Sequence, residues 1–238
     1  MKKNSKILCI IPARGGSKRI TKKNIKKFID KPIIGYSIEL AIKSGIFDEI
    51  MVSTDDDEIV EYSVKQGAKV PFKRSERNSR DSSSTESVIL EVLDNYIERG
   101  TQFDFICCIY PTAVLLQEKH LKKGLEIIQL EKNYSVFAAA EFPHPIWRAF
   151  RLNKLGNAEP IWPPMLDKRS QELEVSFHDI GYFYWLNSKE FHTKKALFEP
   201  SSKMIIVERI LAQDIDNLED WSLAEFKYTY KEKQLSFE

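Results

Sequence analysis

Two stretches of this chain carry residues whose types and spacing suit chemistry on a polyanion. In IIPARGGSKRITKKN, residues 10–24, an apolar run stops at Pro12, and the loop that follows carries a Gly15-Gly16 pair with Arg14 before it and Lys18 and Lys23 after it. From Ala13 to Lys31 there are eight Lys/Arg against one acid, Asp30. Glycines let backbone N–H groups close around phosphate oxygens. Arginine can grip two such oxygens, and lysine supplies a point charge. Charge on this scale suits a triphosphate better than one phosphate, whereas Lys22, Lys26 and Lys27 read as solvated loop lysines. The second stretch is QDIDN, residues 213–217. In an extended segment residues i and i+2 point the same way, so Asp214 and Asp216 can reach one hard cation together. Helix capping is the competing reading for Asp216. Combined with a basic phosphate loop, the acid pair suggests a nucleotide and a metal ion.

Other chemistries are excluded or weak. The opening loop has neither the Gly-x4-Gly-Lys-Ser/Thr spacing of a P-loop nor Gly-x-Gly-x-x-Gly. A formal net charge of +1 argues against a general nucleic-acid binder. The acid run Asp55 to Glu58 suits the positive end of a helix. Three cysteines, Cys9, Cys107 and Cys108, make no disulfide framework and read as buried thiols in a reducing, cytoplasmic setting. No apolar stretch approaches the ~18 residues of a membrane span, so no membrane partner is expected. His120 and His192 lie in charged helical contexts and read as surface residues, while His178 and Asp179 precede a glycine and a strand, where a substrate could be met.

These residues need elements to hold them. Residues 7–11, 49–53, 103–110 and 135–140 read as strands, with a short one expected at 70–72. Between them run helical patterns: one entered at Pro32 and closed by Gly45, one capped by Thr54 or Asp55 and stopped at Gly67, one opened by a Ser83–Glu86 capping box, and one over 117–130. This alternation predicts an α/β fold with a mainly parallel sheet and helices on both faces. Ligands in such sheets bind beyond the carboxyl ends of the strands, which groups segments 12–24, 54–57, 73–85 and 111–116 on one rim. From about 141 to 175 five prolines and two tryptophans break the pattern. That composition predicts an inserted arm with exposed aromatics on a single domain spanning 1–238, and a homodimer contact as its use. The alternation resumes at 177–185, and a last helix runs over about 217–230.

IIPARGGSKRITKKN, MVSTDDDEI, the Ser/Thr segment after KRSER, YPTA and DID together resemble the cytidylyltransferases that activate acidic sugars, the CMP-acylneuraminate synthetases and more distantly the KDO enzyme. The resemblance spans nearly the whole chain. It implies a Rossmann-like nucleotide-diphospho-sugar transferase fold and a dimer formed through the inserted arm. CCIYPTA and RSQELEVSFHDIGYFYW look most like the group that acts on pseudaminic acid, with N-acetylneuraminate or legionaminate as alternative sugars. A non-catalytic nucleotide-binding module is the reading from a different class. The implied reaction joins CTP to a nine-carbon acidic sugar, with Mg²⁺ as cofactor, by attack of the anomeric hydroxyl on the α-phosphorus. The resemblance implies that Arg14, Lys18 and Lys23 hold the phosphates and that Ala13, Gly15, Gly16, Ser17, Asn24, Arg74 and Ser84 line the nucleotide. It further implies Asp214 and Asp216 as metal ligands, and Tyr110, Arg148, Arg169, His178 and Asp179 on the sugar, with an arginine for the sugar carboxylate.

Overall fold

The computed structural model describes residues 5–130 and 134–235. In chain order the main elements are β1 (Ile7–Pro12), the two-residue strands β2 (Lys27–Phe28) and β3 (Lys31–Pro32), α1 (Ile33–Ser44), β4 (Glu49–Ser53), α2 (Asp57–Lys65), α3 (Thr85–Glu98), β5 (Phe105–Ile109) and α4 (Glu118–Leu130). They continue with β6 (Ser135–Glu141), β7 (Phe150–Leu152), β8 (Ala158–Pro160), β9 (Phe177–Asn187), α5 (Ser188–Lys194), β10 (Lys203–Ile206) and α6 (Leu218–Leu235). Six strands form one sheet in the order β10-β6-β9-β5-β1-β4. All its pairings are parallel except those of β9, which runs antiparallel between β5 and β6. Apart from the direction of β9 and the edge strand β10, which the sequence reading did not include, the α/β sheet expected from the alternation is what forms.

Side-chain alternation sorts the sheet residues between two cores. Cys9, Ile11, Cys107 and Ile109 pack with residues of α1, α2, α4 and α6 on one face. Leu8, Ile10, Ile106 and Cys108 pack with α3 and α5 on the other. The adjacent Cys107 and Cys108 thus point to opposite cores, as two neighbours on a strand must, and burial raises both thiol pKa values, Cys108 to about 12. Gly45 ends α1 at φ +65, a conformation glycine adopts at no steric cost.

The structure departs from expectation in several local places. No strand forms at 70–72: only Lys69 bridges to Met51, and Pro71 has no N–H to continue a ladder. Pro32 stands one residue before α1 rather than in its first turn. The helix α2 is capped by Asp56, whose Oδ1 accepts from the amides of Glu58 and Ile59, not by Thr54 or Asp55. The capping box at 83–86 is one residue out of register: Ser84 caps α3 by accepting from Ser87 N–H at 3.2 Å. His178 and Asp179 lie inside β9 rather than before a strand. His120 is buried, not superficial, 3.7 Å from Glu208, and burial lowers its pKa. His192, half-exposed at the end of α5, is where the sequence reading put it.

Helix α4 lies against β9 through Gly124. A Cβ on Gly124 would stand 2.5 Å from Trp185 Cδ1 and 3.3 Å from Phe183 Cε2, and Trp185 is fully buried against Phe47. Gly124→Ala should therefore destabilise the fold by about 1–3 kcal/mol, the usual cost of overpacking a filled core. Urea unfolding at unchanged m-value measures it, and a midpoint equal to wild type would mean that α4 and Trp185 yield freely.

Candidate active site

The opening loop is built on the ends of β1 and β4. Ala13 N–H donates to the Ser53 carbonyl at 2.9 Å, extending the strand pairing by one step. Gly15 N–H then donates to Asp55 Oδ1 at 3.0 Å. A Cβ on Gly15 would fall 2.6 Å from Asp56 Oδ2, so only glycine allows this approach to the start of α2. Gly16 has open space in the same test, and Ser17 N–H donates to the Gly15 carbonyl at 3.0 Å. Among the described residues, the amides of Arg14 and Gly16 are the two in 13–17 with no protein acceptor. Of the two glycines expected at the phosphates, Gly15 gives its N–H to Asp55 here, and Gly16 carries the open N–H.

The two cations flanking the turn converge on one carboxylate. Arg14 Nη1 pairs with Asp81 Oδ1, and Lys18 Nζ with Asp81 Oδ2. Asp81 lies in the Ser-rich segment before α3, and the hydrogen bonds from Lys18 and Arg14 hold its carboxyl below the usual aspartate range. Beneath it, Arg74 is buried. Its guanidinium donates to Ser53 Oγ at 3.1 Å and the Ser53 carbonyl at 2.5 Å, and burial lowers its pKa to about 10. Arg74 therefore ties the 73–85 segment to the end of β4. Ser84 Oγ serves its helix cap, and Asn24 Nδ2 donates to the Arg14 carbonyl at 2.9 Å, bracing the loop from behind.

Lys23 and Arg19 join this loop to the acid pair. Lys23 Nζ donates to the Ile215 carbonyl at 2.8 Å, between the two aspartates. Burial lowers its pKa, and the charges of Asp216 and Asp214 oppose that shift. Arg19 Nη2 meets Asp216 Oδ1 at 2.7 Å. Asp216 does not cap α6. That role falls to Asn217, whose Oδ1 accepts from the amides of Glu219 and Asp220. Asp214 has its pKa raised by desolvation and next by the charge of Asp216. Gly181 stands beside it at φ +61, where a Cβ would reach 3.6 Å from Asp214 Oδ1. No cluster of three His, Cys, Asp or Glu ligands exists among the described residues. Two carboxylates in like-charge tension, with a bare glycine alongside, fit Mg²⁺, which takes one or two carboxylates and completes its shell with phosphate and water.

A groove of about 700 Å³ opens on this acid pair, lined among others by Glu141, His178, Arg209, Asp214, Asp216 and Lys227. His178 packs on Phe142 with ring centroids 4.8 Å apart. Asp179 is tied down by the Tyr184 hydroxyl and by Gly181 N–H at 2.9 Å. Tyr110 bonds Thr85 through its hydroxyl and packs edge-on against Tyr184, linking the start of α3 to β9. Of the five expected sugar-side residues, His178 alone lines this groove. Arg148 and Arg169 do not: Arg148 donates to the Lys168 carbonyl on the inserted segment, and Arg169 begins a 3-10 turn there. The segment folds on itself, with Trp147 against Trp162 and Trp147 Nε1 bonded to the Glu174 carbonyl at 2.8 Å.

Sequence reasoning missed Asp81, Arg19, Arg209 and Lys227. Each was one charge among many in a polar stretch, and only spatial convergence singles it out. Because Asp81 occupies the cations that a triphosphate would need, Asp81→Asn should tighten CTP binding about two- to fivefold at low ionic strength. Titration calorimetry tests this, and weaker binding in the variant would show that Asp81 supports the site rather than competes for it.

Comparison with known proteins shows the family and the fold. Residues 8–235 match the cytidylyltransferase family. A pseudaminic acid cytidylyltransferase of Campylobacter jejuni is 42% identical over 223 residues, 94% of this chain and 96% of that protein. A CMP-N,N'-diacetyllegionaminic acid synthase of Legionella pneumophila is 28% identical, over 92% of this chain and 95% of its own length. Among solved structures, a CMP:2-keto-3-deoxy-manno-octonic acid synthetase complexed with CTP superposes with a TM-score of 0.68 at 17% identity, covering 96% of this chain and all of that one, a likeness of fold. With a sheet of the same kind, and with relatives matched along almost their full length, this chain belongs to the cytidylyltransferase family.

Proposed function

We propose that this protein joins CTP to pseudaminic acid, giving CMP-pseudaminic acid and pyrophosphate. The observation that carries the reading is the meeting, through Lys23 and Arg19, of a basic loop and an acid pair some 190 residues apart in sequence. The 42% identity to a relative of that activity over nearly its whole length supports the choice of sugar.

In this reading the triphosphate takes the place of Asp81 on Arg14 and Lys18, and the Gly16 amide adds a neutral donor. Lys23 lies where it can neutralise charge between the phosphates and the acid pair. Asp214 and Asp216 would hold Mg²⁺, which supplies positive charge at the α-phosphate and eases deprotonation of the attacking hydroxyl. The anomeric oxygen of the sugar forms the new bond to the α-phosphorus as the bond to pyrophosphate breaks. Such transfers rest on alignment and charge neutralisation. Arg74 supports the cytidine side by fixing the 73–85 segment, and His178 faces the sugar from β9.

The chain reads as one domain with an inserted arm at about 141–175. On β7 and the turn after it, Phe150, Leu152 and Leu155 are exposed. A second copy of this chain is the partner we assign to them. Leu152→Glu with Leu155→Glu should leave a monomer by light scattering, and an unchanged mass would remove the arm from the interface.

Pyrophosphate release from CTP across pseudaminic, N-acetylneuraminic and legionaminic acids tests the reaction. Release with pseudaminic acid is expected. Release with another acid alone would change the sugar, and CTP binding without turnover would leave a binding module. Asp216→Asn should lower turnover on the order of a hundredfold with the fold intact, because metal-borne charge is worth several kcal/mol. Kinetics equal to wild type would remove Asp216 from the metal site.

A further inference from the structure

The groove beside the acid pair poses an electrostatic problem. Glu141, Asp214, Asp216 and Asp220 all line it, yet the sugar proposed to enter it is itself a carboxylate. A metal offsets two of these acids at most, so the sugar's own anion needs a dedicated cation. The arginines of the inserted segment do not line the groove of their own subunit. Its lining includes two other cations, Arg209 and Lys227.

These two are not equivalent. Lys227 Nζ donates to the Ala212 carbonyl at 2.6 Å and the Arg209 carbonyl at 3.4 Å, and burial, then the Arg209 charge, lower its pKa. It is a tether that fixes the backbone of the 209–212 turn. Arg209 starts that turn, is exposed, and pairs with no carboxylate among the described residues. Its neighbour Glu208 does not compete for it, being held by Lys119 at 3.2 Å and facing His120 at 3.7 Å. A guanidinium presents parallel N–H groups matched to a carboxylate, and it keeps its charge at any working pH.

We infer that Arg209 receives the carboxylate of the acidic sugar, with Lys227 holding its backbone in place. The inference rests on the reaction proposed above. Arg209 is then a specificity-determining residue that sets acceptance of a 2-keto acid sugar over a neutral one and orients the anomeric hydroxyl toward the acid pair.

The test is pyrophosphate release at saturating CTP and Mg²⁺, with the sugar acid and its methyl ester as the two substrates, for wild type, Arg209→Met and Arg209→Lys. In Arg209→Met, KM for the acid should rise on the order of thirtyfold or more, while KM for CTP stays within about twofold. Arg209→Lys should recover part of the loss, since it restores charge without the fork. Esterification should penalise wild type strongly and Arg209→Met little, because the interaction it removes is already gone. Equal losses for acid and ester in Arg209→Met, or an unchanged KM for the acid, would overturn the assignment. Absence of turnover by wild type with every nonulosonic acid would overturn the reaction itself, an outcome distinct from a failure of Arg209 alone.

Discussion

The hydrogen bond from the Lys23 ammonium to the Ile215 carbonyl is the constraint on which the site depends. It spans 192 residues and sets the end of the basic loop directly against the acid pair. A cation drawn out of water is costly unless charge and hydrogen bonds compensate it. Here burial pushes the Lys23 pKa down, and Asp216 and Asp214 push it back. The same aspartates would repel each other without that neighbour, and Asp214 already bears a raised pKa. Loop and acids are each electrostatically incomplete alone.

This mutual dependence extends outward. Arg14 and Lys18 share Asp81, and Arg19 meets Asp216. The molecule thus supplies internal counter-ions for Arg14, Lys18 and Asp216, which keeps a strongly charged rim compatible with a net charge of +1. Most of these pairs are solvent-accessible, so each is cheap to exchange for a ligand of the same sign. A triphosphate offers more negative charge to Arg14 and Lys18 than one carboxylate does, and a divalent ion offers more positive charge to Asp216 than one guanidinium. In the proposed reaction the triphosphate and the divalent ion would replace these resting pairs with larger charges of the same sign.

The groove beside this rim owes one of its sides to β9. Because β9 is antiparallel, its first residues, not its last, lie beside the end of β6, as the pairing of His178 with Ala140 shows. That reversal brings His178 to the groove and sets Gly181 next to Tyr110 and Asp214. An all-parallel sheet would place the other end of this strand there.

Much of this was legible in the chain itself. Apolar periodicity and turn residues marked the central strands β1, β4, β5, β6 and β9 and most helices, because burial on a two-sided sheet leaves an unbroken apolar run and a helix leaves a 3.6-residue stripe, whereas the edge strand β10 was not read. Local charge density marked the loop, and the Asp-x-Asp spacing marked the pair. One-residue matters were decided otherwise: Asp56 rather than Asp55 caps α2, and Ser84 rather than Ser83 caps α3, since several acceptors stand in line and packing selects among them. The sequence could not reveal that Gly15 is needed for Asp56 while Gly16 is free, that β9 runs backwards, or that Asp81 faces Arg14 and Lys18. These are relations between residues distant along the chain, and one-dimensional pattern carries no information about which of many like charges will meet. Residue type determined what each group could do, and tertiary structure alone decided which groups do it together.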